Sequence, residues 1–405
     1  MKNNLITNKR ILMIALDFPP CKSAGVQRTL KFAEYLKDFG WEPIVLTVTD
    51  SSHTAVDHSQ VIPDSITHVY RSFSFNASRD FSIKGKYLRI LKEPDRWWTW
   101  QYTAVPLGKK LIKEFSPDVI WSTYPVSTAH NIAFKLAKWS NIPWVADYRD
   151  PVQSRYDGSA QRWFNLAQKI EKKTLLNASQ VVFTTKQASM LYQYLYPDVK
   201  LTQFNVIENG YDEGNFAALP PITKNNKAKF VLLHSGAVYT NGRDPTLLFR
   251  ALSSLKKQNK ISAQNFSLVF RGINQAPYFQ QLTALDITDL VEFLPSVDYM
   301  ESLKEMMTVD GVLLIQGPLF NNQIPGKVFE YIRSGQPILA YTPLEGATGQ
   351  LLSRVEASYC ADNSEKLAQC ILTLMSDDKV QRSNIERFSR YEKTKQLAQL
   401  LDSIS

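Results

Sequence analysis

The apolar residues of this chain fall into short continuous runs, separated by stretches that carry a helical stripe. The run 11–16 is followed by a loop and then by 26–39, where Leu30, Phe32, Ala33, Tyr35, Leu36 and Phe39 recur at helical spacing. Strand-like runs at 43–48, 118–122, 144–147 and 181–185 alternate with helices predicted near 128–139 and 162–176. The second half repeats the pattern, with strands at 229–233, 266–271, 291–293, 311–315 and 337–340 and helices at 246–258, 300–307 and 327–334. Short apolar strands separated by helices are what a parallel sheet covered on both faces requires. The pattern predicts an α/β protein with two doubly wound parallel sheets facing a cleft, and ligands beyond the carboxyl ends of the strands. Residues 51–103 break the alternation and read as an insertion.

The expected organisation is an amino-terminal domain over 1–213, a linker over 214–228, a second domain over 229–385 and a carboxyl-terminal helix within 386–405 that packs back across the chain. The linker contains Pro220, Pro221 and a polar NNKAK tract. A length of 405 residues agrees with two domains.

Charge changes this picture. Residues 1–210 carry 27 Lys and Arg against 18 Asp and Glu, whereas residues 211–405 carry 20 against 20. The whole excess of +9 therefore belongs to the first half, which suggests an anionic partner there, such as a membrane surface. Three scattered cysteines form neither a metal-ligand spacing nor a disulfide framework, which favours a reducing cytosol. No apolar stretch is long enough to span a bilayer. The expected location is cytoplasmic, or peripheral on the inner face of the plasma membrane. Nucleic acid is not an expected partner, because no binding motif accompanies the charge.

Candidate chemistry sits where strands end. After the first strand, DFPPCKSAGVQR places Ser23, Ala24 and Gly25 at a helix entry suited to close approach by an anion. It is neither GxGxxG nor a P-loop. The strand 144–147 runs into DYRDP, whose Asp147, Arg149 and Asp150 either order the turn through an internal ion pair or serve the site. In the second half Gly236 and Arg243 follow one strand, and Arg271 ends the next. Two arginines at strand ends suit phosphate oxygens. The segment 324–340, IPGKVFEYIRSGQPILA, sets Lys327 and Glu330 three apart in the first turn of a helix. There a carboxylate can hold vicinal ribose hydroxyls while the lysine and helix N-terminus hold phosphate.

That last segment resembles the nucleotide-sugar-binding stretch of retaining, family 4-like glycosyltransferases of the GT-B fold. FPPCKSAGVQRTLKFAEYL is similar to their amino-terminal glycine loop and helix, and VADYRDP to their DxRDPW motif, with Val152 in place of tryptophan. VIENGYDEGNF resembles the interdomain turn, SGAVYTNGRDPTLLFRAL the donor-phosphate strand and helix, and PSVDYMESLKEM the segment before the donor pocket. The resemblance implies two Rossmann-like domains and Glu330 as the ribose-binding glutamate. Three positions depart from the pattern. Asn322 stands where an earlier glutamate is usual, Ala237 where an arginine is usual, and the histidine often found after the fourth strand is replaced by Ser122 and Thr123. Arg243 is the substitute cation.

The implied activity is transfer of a sugar from a UDP- or GDP-linked donor to a glycan or lipid-linked acceptor, with retention, in cell-surface polysaccharide synthesis. No cofactor or metal is expected, since the nucleotide-sugar is a substrate and the five histidines are dispersed. Arg243, assisted by Lys327 and Arg271, would stabilise the leaving diphosphate, and Asp150 would touch acceptor or sugar hydroxyls. Gly25, Gly236 and Asn322 complete the expected donor-side set. The stretch 84–102 mixes cations with tryptophans and tyrosines, suited to a membrane interface, to sugar stacking or to packing within the domain. The alternatives are a sugar-nucleotide epimerase on the same architecture and a non-catalytic nucleotide-sugar- or glycan-binding protein.

Overall fold

The structure, a computed structural model, describes residues 9–405 apart from 24, 59, 85, 87, 152–164, 221–228, 237, 239–241, 378, 379 and 381. It divides into two compact units, Met1–Glu208 with Arg390–Ser405, and Asn209–Ser389.

The first unit holds a wholly parallel sheet of β1 (Lys9–Ile14), β2 (Trp41–Val48), β3 (His68–Ser72), β4 (Val119–Thr123), β5 (Trp144–Tyr148), β6 (Gln180–Phe183) and β7 (Phe204–Val206). Their spatial order is β3-β2-β1-β4-β5-β6-β7. Side chains alternate between its two faces. Leu12, Ile14, Ile120 and Trp144 pack under the helices Trp100–Phe115, Ser127–Ser140 and Asn165–Asn177. Ile11, Met13, Val119 and Trp121 pack under the helix Val26–Tyr35. The carboxyl-terminal helix Arg390–Asp402 joins that second layer through Leu397, Ala398 and Leu401, and Trp41 Nε1 donates to Asp402 Oδ1 at 3.2 Å. Each such fully buried side chain contributes about 1.5–3 kcal/mol.

Two expectations are corrected. The stretch 51–103 is not wholly outside the alternation, because β3 forms the edge of the sheet. Only Ser72 of its HVYRS is buried, so an edge strand of this kind gives no apolar run to detect. The helix predicted over 26–39 stops at Tyr35 and tightens into a 3₁₀ turn, Leu36–Phe39, ended by Gly40 at φ +80°. Of the helix predicted near 162–176, residues 162–164 lie outside the described residues.

The second unit holds β8 (Phe230–Ser235), β9 (Phe266–Arg271), β10 (Val291–Leu294), β11 (Gly311–Ile315), β12 (Ile338–Tyr341) and β13 (Ser358–Ala361), in the order β10-β9-β8-β11-β12-β13 and again all parallel. The helices Thr246–Lys257 and Ser364–Ser376 cover one face and Gly326–Ser334 and Tyr299–Thr308 the other. In both sheets the strand order reverses beside the first strand, at β1/β4 and β8/β11. These are the points where open α/β sheets leave room for ligands. The segment read as a linker overlaps a short helix, Glu213–Ala217, and its residues 221–228 lie outside the described residues.

Candidate functional sites at the strand ends

In the first unit the loop after β1 and the helix that follows it meet the end of β5 through two ion pairs. Arg28 donates through Nε and Nη2 to both oxygens of Asp147, at 3.1 and 2.7 Å, and also reaches the carbonyls of Ile207 and Glu208. Thr123 Oγ1 completes the shell of Asp147, whose side chain is fully buried. Arg149 pairs with Asp17 at 3.0 Å and donates to the carbonyl of Tyr124. The DYRDP turn is thus tied by ion pairs to partners more than a hundred residues away, with Thr123 and the Tyr124 carbonyl nearer in the chain. Asp150 stands beside these groups half-buried, and burial raises its pKa, with the Arg149 and Arg28 cations opposing. Val152 lies outside the described residues.

Gly25 is fixed by space, not by a special backbone angle. A Cβ there would lie 1.8 Å from Arg149 Nη1 and 2.2 Å from Asp17 Oδ2. Gly25→Ala must therefore push the Asp17–Arg149 pair apart. It should cost about 1–3 kcal/mol, as overpacking does, in a urea unfolding curve of the chain. A change below a few tenths would contradict this packing.

Sequence reasoning passed over one histidine here. His130, on the helix after β4, is buried with Nδ1 2.7 Å from Ser122 Oγ. Trp144 Nε1 donates to the same hydroxyl at 2.8 Å, so Ser122 Oγ links the His130 ring to β5. Burial lowers its pKa to about 3, so the ring stays neutral. The signal was its place on the helix following Ser122, not in the strand end itself.

In the second unit Gly236 adopts φ +121°, which favours glycine, and a Cβ there would lie 3.4 Å from Lys327 Nζ. Lys327 Nζ donates to the Ser235 carbonyl at 3.0 Å. Burial, and to a lesser degree the Arg243 cation, lower its pKa to about 7 against the opposing Glu330 carboxylate. Arg243 lies over the Phe320 ring, 5.6 Å from its centre. Gly242, at φ +90°, admits that ring, since a Cβ would come within 2.6 Å of it. Gln316, just after β11, donates to the carbonyls of Phe320 and Gln323 and so shapes the loop before the helix. That helix, Gly326–Ser334, starts after Pro325 and buries Val328, Phe329, Tyr331 and Ile332. Arg382 caps its far end through the carbonyls of Ile332 and Gln336. Glu330 faces outward and accepts from Tyr299 OH at 2.7 Å.

The structure therefore brings Gly236, Arg243, Lys327 and Glu330 together. Asn322 sits half-buried in the turn before the helix. Arg271 is corrected as a donor-phosphate candidate. Its fork is committed to Glu305, with Nε at 2.9 Å and Nη2 on the other oxygen, and its Nη1 to the Pro295 carbonyl. Ala237 lies outside the described residues. Among the described residues, no group of three or more His, Cys, Asp or Glu is placed to hold a metal ion, and no helix is long and apolar enough to cross a membrane.

Residues 25–214 match the profile of Glycosyltransferase Family 4. No curated protein matches the sequence. Among solved structures, the chain is similar to sucrose-phosphate synthase from Thermosynechococcus elongatus, with TM-score 0.66, 14% identity and 98% of both chains covered. It is similar to HepE from Anabaena in complex with UDP and glucose, with TM-score 0.62, 17% identity, and 98% of this chain and 100% of that one covered. UDP-GlcNAc 2-epimerase from Methanocaldococcus jannaschii follows at TM-score 0.54 and 10% identity, covering 97% and 99%. The two Rossmann-like units have the GT-B arrangement of strands and helices.

Proposed function

We propose that this chain, a family 4-like GT-B protein, is a glycosyltransferase that moves a sugar from a UDP- or GDP-linked donor to a glycan or lipid-linked acceptor. The observation that carries the reading is the half-buried Lys327, its Nζ on the Ser235 carbonyl at the end of β8, with Arg243 and Glu330 beside it. Burial and the Arg243 cation push Lys327 down, and an anion bound beside it would favour its charged form. A diphosphate supplies that anion, and Glu330, fixed by Tyr299, accepts the hydroxyls of the ribose attached to it. HepE, similar in fold, is also solved in complex with UDP-glucose, a donor of this class.

On this reading the bond from the anomeric carbon to the diphosphate breaks and its electron pair stays with the leaving phosphate. Arg243 and Lys327 counter the charge that appears there, without reorganising. Asn322 offers an amide to a sugar hydroxyl but no negative charge. Asp150, in the first unit, contacts acceptor or sugar hydroxyls, and Gly25 keeps the ion pair beside it closed. The reaction retains anomeric configuration, needs no metal, and serves cell-surface polysaccharide synthesis at the cytoplasmic face. The epimerase reading rests on a lower structural similarity and on no residue that favours it.

Lys327 makes this testable through pH. Its folded pKa of about 7 lies below its ordinary value of 10.5, and a bound diphosphate must raise it by favouring the ammonium. UDP or GDP binding should therefore take up a proton, and affinity should fall by up to roughly tenfold per pH unit as pH rises above 7. Calorimetry in buffers of different ionisation enthalpy measures the uptake. Lys327→Met should abolish both effects. Binding that is pH-independent between 7 and 9, with no proton uptake, would remove Lys327 from the diphosphate.

A further inference from the structure

We infer that the insertion between β3 and the helix Trp100–Phe115, together with the outer face of that helix, docks the first unit onto an anionic lipid surface. The inference goes beyond the donor reading and does not depend on it.

The three tryptophans of the insertion are anchors. Trp100 is buried with Nε1 on Ser72 Oγ at 2.9 Å, Trp97 Nε1 donates to the Ser52 carbonyl at 2.9 Å, and Trp98 Nε1 donates to the Leu91 carbonyl at 2.9 Å. A chain of rings runs through Phe73, Phe75, Phe81, Trp98 and Tyr102, with successive centroids 4.8 to 6.5 Å apart. So held, the insertion presents aliphatic tips to solvent, with Ile83 79%, Leu88 70% and Ile90 68% exposed. The exposed lysines Lys84 and Lys86 stand among them.

This apolar end continues into a basic one. Tyr102, 66% exposed, begins a stripe that Pro106, Lys109, Lys110 and Lys113 extend along the same face of the helix. A groove of about 640 Å³ opens there, lined by Pro106, Lys109, Lys110, Lys113, Glu114 and Trp139. The Nζ atoms of Lys109 and Lys113 lie 5.0 and 6.0 Å from the centre of the half-exposed Trp139 ring. On the neighbouring helices the exposed Lys135, Lys138, Lys169 and Lys172 extend the same charge.

Two chemistries on one surface select the partner. Aliphatic tips make no hydrogen bonds, so a soluble polyanion or glycan gains nothing from them, whereas the acyl boundary of a bilayer does. Lysines flanking them, with aromatic rings between, match anionic headgroups. The insertion leaves β3 at the carboxyl edge of the sheet, the edge that also carries Asp17, Arg149 and Asp150. A docked tip would present a lipid-linked substrate to that edge.

The test is flotation of the full chain with vesicles of phosphatidylcholine alone and of phosphatidylcholine and phosphatidylglycerol in equal parts. We expect flotation with the mixed vesicles and little with the neutral ones. The triple variant Ile83→Ser, Leu88→Ser, Ile90→Ser should weaken binding by roughly a hundredfold. Lys109→Glu, Lys110→Glu, Lys113→Glu should weaken it by more than about tenfold on the mixed vesicles, and high salt should do the same. All six side chains are on the surface, and unchanged circular dichroism and nucleotide binding confirm that each variant is folded and its donor pocket intact. Absence of flotation, equal binding to both vesicle types, or binding that neither variant alters would overturn the proposal. So would dextran sulfate binding as tightly as vesicles with no effect of the serine variant, or a dimer that the serine variant dissociates.

Discussion

Glu330→Ala is expected to weaken binding of a nucleoside diphosphate by roughly thirtyfold to a thousandfold while leaving the fold intact. The helix that carries Glu330 is held by its buried face, by Tyr331 OH on the Leu313 carbonyl and by Arg382 at its end, so the backbone keeps its place without the carboxylate. The loss is then that of hydrogen bonds from two ribose hydroxyls to a charged acceptor, about 1.5–3 kcal/mol each and less than additive. Tyr299→Phe removes only the hydroxyl that holds Oε1, so it should cost about 1 kcal/mol of affinity, as a positioning contact does. Titration calorimetry with UDP and GDP checks both variants. An unchanged dissociation constant for Glu330→Ala would put the ribose elsewhere.

The largest effect on stability should come from Arg28→Ala. It strands the carboxylate of Asp147, which is fully buried and keeps the Thr123 hydroxyl as a donor. Breaking a buried pair in this way costs about 3–5 kcal/mol, because one charge is left without its counter-ion. The carbonyls of Ile207 and Glu208 lose a donor as well. For a unit of this size that corresponds to a fall of roughly 10 °C in midpoint. Arg28→Met with Asp147→Leu removes both charges and should recover part of the loss, leaving mainly the two carbonyls unsatisfied. If Arg28→Ala alone cost less than about 1 kcal/mol in thermal or urea unfolding, the pair would not be the clamp between the helix after β1 and β5 that its geometry describes.

Much of the fold was legible because it is written in runs of apolar residues. A strand such as β11, GVLLI, is buried at all five positions and carries no polar residue to mask it. The β3 strand was missed for the opposite reason, since an edge strand with one buried residue has no apolar signature. Site residues were legible where chemistry and local spacing coincide. Lys327 and Glu330 share one helical turn, and Gly236 and Arg243 follow one strand, so sequence distance approximates distance in space. Arg149 and Arg28 were not legible in this way. Each has a choice of carboxylates, and the partner is set by how β1 and β5 lie across β4 in the sheet. Arg271 failed as a phosphate contact because Glu305, on a helix 34 residues later, takes its fork. His130 escaped because it reaches the strand end from the following helix.

Transfer of sugar from a nucleotide donor, beyond mere binding of one, is tested most directly by incubating the chain with radiolabelled UDP- and GDP-sugars and a membrane extract, and following the label. The account predicts label in a lipid-linked or glycan product with the anomeric configuration of the donor, and none of it with Lys327→Met and Arg243→Ala combined. Label that stays on the nucleotide, whether as an isomerised sugar or as unchanged bound donor, would contradict it.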